Sequence, residues 1–232
     1  MSQRTVSMHA AYKSREEVID GFLARPLTNR PTPALVLLHG YRGVDDAQRA
    51  ITRRFAREGF VCLSPDLFSG KISSDRAVSA YLKTSLDVER AVEEIIDSVT
   101  YLRMLPFVAR NKIAVSGFCM GGGLALYGLA RSSVFAAGVI FYQSLFPDPE
   151  ELKGIRVPIQ CHYGTRDENT TKAEIELFKS ALAGYGKKFE IHMYEGAGHA
   201  FLNNPESKSK ANRAAAEQSF LKTCRWLRKK LL

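Results

Sequence analysis

Apolar positions along this chain fall into short continuous runs separated by stretches of helical period. Segments 18–24, 34–38, 60–63, 112–116, 137–142, 158–163 and 189–194 are the runs. Segment 34–38, Ala-Leu-Val-Leu-Leu, has no polar interruption, as expected of a strand covered on both faces of a parallel sheet. Between the runs, Ala47, Ile51 and Phe55 share a helical face behind the capping pair Asp45 and Asp46, and Gly59 closes that helix. Val88, Ala91, Val92, Ile95, Ile96, Val99 and Leu102 form the clearest helical stripe in the sequence. Leu124, Leu126, Leu129 and Ala130 mark a helix over 122–131, and Ile175, Phe178 and Leu182 mark another. The polar stretch 69–79 has no period and is expected to be a loop near a surface site. Strand and helix alternate with short connections. That pattern predicts an α/β fold: a mainly parallel central sheet with helices on both faces, and an antiparallel strand pair at the N-terminus. One domain over 1–232 fits, with no linker or repeat.

With 45% hydrophobic and 25% charged residues, the composition excludes a disordered chain. No apolar run approaches the roughly 20 residues of a membrane-spanning helix. The first 25 residues carry Arg4, Lys13, Arg15, Glu16 and Glu17 and do not read as a signal peptide. Cys62, Cys119, Cys161 and Cys224 stand far apart, which argues against a zinc site or a disulfide framework. A cytoplasmic protein without metal or cofactor is the expectation. The net charge of +9 is local. From Lys208 to the end, eight basic residues face one acid, Glu217, whereas the preceding 207 residues are nearly balanced. Phe220, Cys224, Leu227 and Leu231 recur there at helical spacing. The segment from about 208 to 232 therefore reads as an amphipathic helix docked on the core with its basic face in water. No nucleic-acid motif accompanies it, and neither nucleic acid nor membrane is expected as a partner.

Ser116-Gly-Phe-Cys-Met-Gly-Gly122 carries the chemistry. It matches the nucleophile elbow G-x-S-x-G with cysteine in place of serine, between an expected strand and an expected helix. Gly117 and Gly121, two residues either side of Cys119, let strand and helix approach closely. A thiol at a helix N-terminus is biased toward thiolate by the helix dipole. After such an elbow, the hydrolase order is nucleophile, acid, histidine. Segment 158–163 leads into Gly164-Thr-Arg-Asp167, and segment 189–194 into Glu195-Gly-Ala-Gly-His199. Asp167 and His199 thus sit past C-terminal strand ends, where open parallel sheets place their sites. Glu168 is a rival acid, and the glycines around His199 suggest a tight, mobile loop. Of the other histidines, His9 is near the terminus, His162 and His192 lie within strands, and His39 could line the site. The backbone N–H groups of Met120 and Tyr41 are the candidate oxyanion donors. In this arrangement His199, oriented by Asp167, draws the Cys119 proton. The thiolate attacks an acyl carbonyl, and a thioester acyl-enzyme forms and is hydrolysed.

The elbow G-F-C-M-G-G, the G-T-R-D acid loop, the G-A-G-H-A-F histidine loop and Cys62-Leu-Ser-Pro-Asp-Leu67 together resemble the dienelactone hydrolase family. The likeness runs from residue 15 to about 225. It implies the α/β-hydrolase fold and cofactor-free hydrolysis of an enol-lactone or related ester, with Cys119, Asp167 and His199 as the triad. Two positions depart from the family pattern. Gly40 stands where the prototypes have a glutamate near the thiol, and Asn203 stands where they have a substrate-binding arginine. Arg76 and Tyr81 resemble the other half of that anion pocket, and Tyr142 and Phe201 are further candidate substrate contacts. With one arginine left, neutral substrates are expected to react about as well as carboxylate-bearing ones. A general carboxylesterase or thioesterase, a hydrolase-like binding protein and a redox sensor acting through Cys119 are the alternatives. The expected partner is a small ester or lactone, and the expected state a monomer or homodimer.

Overall fold

The computed structural model describes residues 3–204 and 207–232. Its eight strands are β1 (Thr5–Ser14), β2 (Glu17–Pro26), β3 (Thr32–Leu38), β4 (Val61–Pro65), β5 (Val108–Phe118), β6 (Ala137–Phe141), β7 (Ile159–Gly164) and β8 (Phe189–Tyr194). They form one sheet in the order β1-β2-β4-β3-β5-β6-β7-β8. The β1–β2 hairpin joins β4 antiparallel, and every later pairing is parallel. The six α-helices are α1 (Asp46–Arg57), α2 (Arg76–Thr84), α3 (Val88–Met104), α4 (Met120–Arg131), α5 (Lys172–Gly184) and α6 (Lys210–Leu231). This is the α/β-hydrolase arrangement, a mostly parallel sheet flanked by helices.

The uninterrupted apolar runs are the central strands. Every residue of β3 from Pro33 to Leu38 is buried, because helices cover both faces. Strand order reverses between β3 and β5, the point at which such sheets open a crevice. There Leu38 pairs with Gly117, so the loops that follow the two strands emerge side by side. α1 and α6 meet through Phe55 and Phe220, whose ring centroids lie 4.8 Å apart. The α6 face bearing Phe220, Cys224, Leu227 and Leu231 is buried. Arg228 on its other side pairs with Glu58 at 2.6 Å, and Arg54 pairs with Glu217. Among the described residues no helix is long and apolar enough to cross a membrane.

Two elements differ from the sequence expectation. β1 lies at the sheet edge, where only Ala10, Tyr12 and Ser14 are buried, so its strand has almost no apolar signature. The stretch expected to be a loop over 69–79 gives way at Arg76 to α2, capped by the Asp75 side chain on the Val78 N–H. Only Ser79 and Leu82 of α2 are buried, too few to write a stripe into the sequence.

Candidate active site

The elbow is built as its glycines imply. Cys119 has φ 55° and ψ −115°, a conformation that costs a non-glycine residue about 1–3 kcal/mol and persists only when its surroundings enforce it. They do so here by hydrogen bonds. The Cys119 N–H donates to Phe141 O at 3.1 Å, and Cys119 O accepts from Gly122 at 3.1 Å and Gly123 at 3.3 Å. A Cβ on Gly117 would lie 2.1 Å from Gly121 O, and one on Gly121 would lie 2.5 Å from His39 O. Any side chain at either position would push the elbow off β3 and off its own helix.

Asp167 and His199 come together across the ends of β7 and β8. The Nδ1–H of His199 donates to both Asp167 oxygens, at 2.8 and 3.0 Å. Asp167 Oδ1 also accepts the N–H groups of Asn169 at 2.8 Å and Thr170 at 3.0 Å, so the buried carboxylate is fully oriented. Glu168 beside it is exposed. The histidine loop is tied down rather than loose. Arg166 N–H donates to Ala197 O at 2.9 Å, Gly196 N–H to Thr165 Oγ1 at 2.8 Å, and Gly198 N–H to Asn212 Oδ1 at 2.9 Å. Nε2, the outer nitrogen of His199, is buried and has no hydrogen-bond partner among the described residues.

Charge separates Cys119 from the other cysteines. Burial pushes the thiols of Cys62, Cys161 and Cys224 up, the last two to about 12. Burial pushes Cys119 the same way, but His199, Ser144 and Lys83 outweigh it and leave its thiol below the ordinary value. Burial works against the charged form of His199 too, yet Asp167 and Cys119 raise it to about 9. Both shifts run in the direction that a thiolate–imidazolium pair requires.

The loop after β3 brings Tyr41 next to the elbow. Among the described residues, neither the Tyr41 nor the Met120 N–H is spent on a turn or loop hydrogen bond. His39 does not line the site. It is fully buried, accepts the Leu67 N–H on Nε2 at 3.1 Å and donates from Nδ1 to Gly40 O at 2.7 Å. Burial keeps this imidazole neutral, and it acts as a strut under the candidate oxyanion loop.

A cavity of about 470 Å³ opens on Cys119 and His199. Arg42, Arg76, Lys83 and Asp45 bring charge to its wall, and Ser144 and Asn203 bring polar groups. More positive charge therefore lines it than Arg76 alone. Arg76 reaches the cavity from the first turn of α2, not from a loop. The other expected substrate contacts lie elsewhere. Tyr81 points to solvent, 68% exposed, because it sits on the outer face of α2. Tyr142 and Phe201 are buried behind the wall, where the Tyr142 ring meets His199 edge-on at 5.1 Å and Phe201 at 4.8 Å. The Tyr142 hydroxyl donates to Asn203 Oδ1 at 2.9 Å, so it helps fix a residue that does line the cavity. Sequence reasoning missed Ser144 and Lys83. Ser144 follows a C-terminal strand end, the rule that found Asp167, whereas Lys83 lies on the helix that had no signature. Among the described residues no cluster of three or more histidine, cysteine, aspartate or glutamate side chains is arranged to hold a metal ion.

The sequence profile of the dienelactone hydrolase family matches residues 19–231. Protein usf of Aquifex pyrophilus is 28% identical, over 80% of this chain and 82% of its own length. Carboxymethylenebutenolidase 1 of Cupriavidus pinatubonensis is 26% identical, over 79% of this chain and 80% of its own. Among solved structures, the dienelactone hydrolase-like promiscuous phosphotriesterase P91 from metagenomic libraries superposes with a TM-score of 0.88 at 18% identity. That match covers 98% of this chain and 99% of P91 and bears on the fold alone.

Proposed function

The chain belongs to the dienelactone hydrolase family, and from that premise we propose that it hydrolyses small esters or lactones through a Cys119–His199–Asp167 triad and a thioester acyl-enzyme. The observation that carries the proposal is geometric: Cys119 at the elbow and His199, held by Asp167, open on one cavity, and of the four cysteines the one at the elbow is the one whose surroundings draw its thiol down.

In the resting enzyme the proton sits on His199 Nε2 and the charge on Cys119 Sγ. Sulfur attacks the carbonyl carbon, and the carbonyl electron pair moves to oxygen, where the Tyr41 and Met120 N–H groups can receive it. Collapse expels the alkoxide or enolate, which takes the proton from Nε2. Neutral His199 then removes a proton from water as the water attacks the thioester. The second collapse returns the electron pair to sulfur and releases the acid. Thiolate is itself readily expelled, so substrates with an activated alcohol or enolate leaving group suit this site better than amides.

The test is to quench a turnover of p-nitrophenyl acetate with acid and map the acetyl group by mass spectrometry. Acetyl on Cys119, labile to hydroxylamine, is the expected result; acetyl elsewhere refutes the triad.

A pH dependence follows from the same charges. Activity is expected to rise as Cys119 ionises, below the usual thiol range, and to fall near pH 9 as the His199 imidazolium loses the proton owed to the leaving group. A kcat/KM profile checks it; an alkaline limb absent up to pH 10 contradicts the ion pair.

Substrate charge is expected to matter modestly. Arg42 and Arg76 are exposed, and exposed guanidinium–carboxylate pairs contribute little. Arg76→Ala should change the kcat/KM ratio of a lactone with and without a carboxylate by less than roughly tenfold. A wild-type preference for the anion above about a hundredfold, abolished in the variant, would show that Arg76 dominates recognition.

A further inference from the structure

Ser144 is held against the nucleophile twice. Its N–H donates to Cys119 O at 3.1 Å, and its Oγ lies 3.1 Å from Cys119 Sγ. Lys83 places Nζ 2.9 Å from the same Oγ. An ammonium group has donors and no acceptor, so Oγ must accept in that contact. The hydroxyl hydrogen is then left for Sγ, since Lys83 and Cys119 are the only side-chain partners of Oγ among the described residues. The direction of the Ser144–Cys119 hydrogen bond is thereby fixed by Lys83.

We propose that Lys83 and Ser144 form a donor relay that holds Cys119 as a resting thiolate. Ser144 is a catalytic residue that donates to the reacting sulfur, and Lys83 is a positioning residue that turns its hydroxyl that way. The relay rests on the reading of Cys119 as the nucleophile. It supplies what position 40 cannot. A Cβ on Gly40 would lie 3.8 Å from Cys119 Cβ, so a side chain there would reach the thiol, and glycine offers none. The other charged groups around the thiol are His199 and Asp167 on the loops after β8 and β7, Arg76 on α2, and Arg42 and Asp45 before α1. Among the described residues, Lys83 is the one of Arg42, Arg76 and Lys83 that has a hydrogen-bonded path to Sγ.

The relay acts at two points in the reaction. Before attack it raises the fraction of sulfur present as thiolate. In the second collapse the carbon–sulfur bond breaks and its electron pair returns to sulfur, where the Ser144 O–H receives the charge. During the thioester stage sulfur is a weak acceptor and the hydroxyl does no comparable service.

The experiment is the pH dependence of Cys119 alkylation by iodoacetamide, followed by peptide mapping, which requires no substrate turnover. Wild type is compared with Ser144→Ala, Ser144→Thr, Lys83→Met, Lys83→Arg and the Lys83→Met/Ser144→Ala double variant. A lost hydrogen bond to a charged group is expected to move the Cys119 titration up by about one to two pH units in Ser144→Ala and Lys83→Met. Ser144→Thr and Lys83→Arg, which keep the donors, should titrate near wild type. In the double variant the Lys83 change should add little to the Ser144 change, because lysine works through serine. The kcat/KM acid limb should move with the thiol titration, a shift that a purely structural role would not produce. A Ser144→Ala protein that titrates like wild type overturns the proposal. So does a Lys83→Met shift that is as large without the serine hydroxyl as with it. Failure of the nucleophile assignment is distinguishable, because it would appear as ester hydrolysis surviving in Cys119→Ala.

Discussion

Cys119→Ala is expected to lower kcat for ester or lactone hydrolysis by about 10⁴-fold or more while the protein stays folded. What survives such a change is catalysis by binding and by oxyanion donors, and neither supplies a nucleophile. The fold should tolerate the substitution because the elbow is held by backbone bonds. The Cys119 N–H to Phe141 O and the bonds of Gly122 and Gly123 to Cys119 O are all independent of the side chain. The positive φ also costs alanine about what it costs cysteine. The measurements are kcat on a p-nitrophenyl ester and the urea midpoint. A variant retaining more than about a tenth of the activity would remove Cys119 from the mechanism.

His199→Ala is expected to come close to the same loss, and Asp167→Asn to fall short of it by roughly tenfold or more. In the proposed mechanism the imidazole handles the proton in both halves of the reaction, and its Nε2 is buried with no hydrogen-bond partner among the described residues. In the same mechanism Asp167 exchanges no proton with substrate and stabilises the imidazolium; it holds the ring through Nδ1, and Asn169 and Thr170 hold its carboxylate in place. An asparagine there keeps the shape and loses the charge. His199 should then release its proton at a lower pH, and the alkaline limb of the profile should move down with it. Glu168→Gln should behave as wild type, since that side chain is exposed. Equal losses at 167 and 168, or a greater loss at 168, would move the acid by one residue.

The strand runs, the helical stripes and the three loops carrying Cys119, Asp167 and His199 were legible in the amino-acid order because each rests on local physics. A strand buried on both faces must be apolar throughout. A helix with one buried side must repeat with its turn. An elbow that sets a side chain at positive φ between a strand and a helix leaves room only for glycine at 117 and 121. The family resemblance followed from the same loops, because those constraints leave few residues free to vary. β1 and α2 escaped for the complementary reason. An edge strand and a surface helix bury too few side chains to need an apolar pattern.

The surroundings of the thiol were settled at a distance in sequence, by packing. Ser144 and Cys119 are 25 residues apart and Lys83 and Ser144 are 61 apart, and no spacing rule links them. Tyr142 and Phe201, expected at the substrate, were turned inward, where the Tyr142 ring packs edge-on against both His199 and Phe201. His39 was withdrawn to brace the loop it precedes. The amino-acid sequence alone determined which strand ends carry Cys119, Asp167 and His199, since that depends on neighbours along the chain. The groups that surround the thiol, the cations that face it and the tyrosine that stays outside the cavity were decided only when the sheet and its helices packed together. Those depend on groups that share no segment and meet solely because β3, β5, β6, β7 and α2 converge on one crevice.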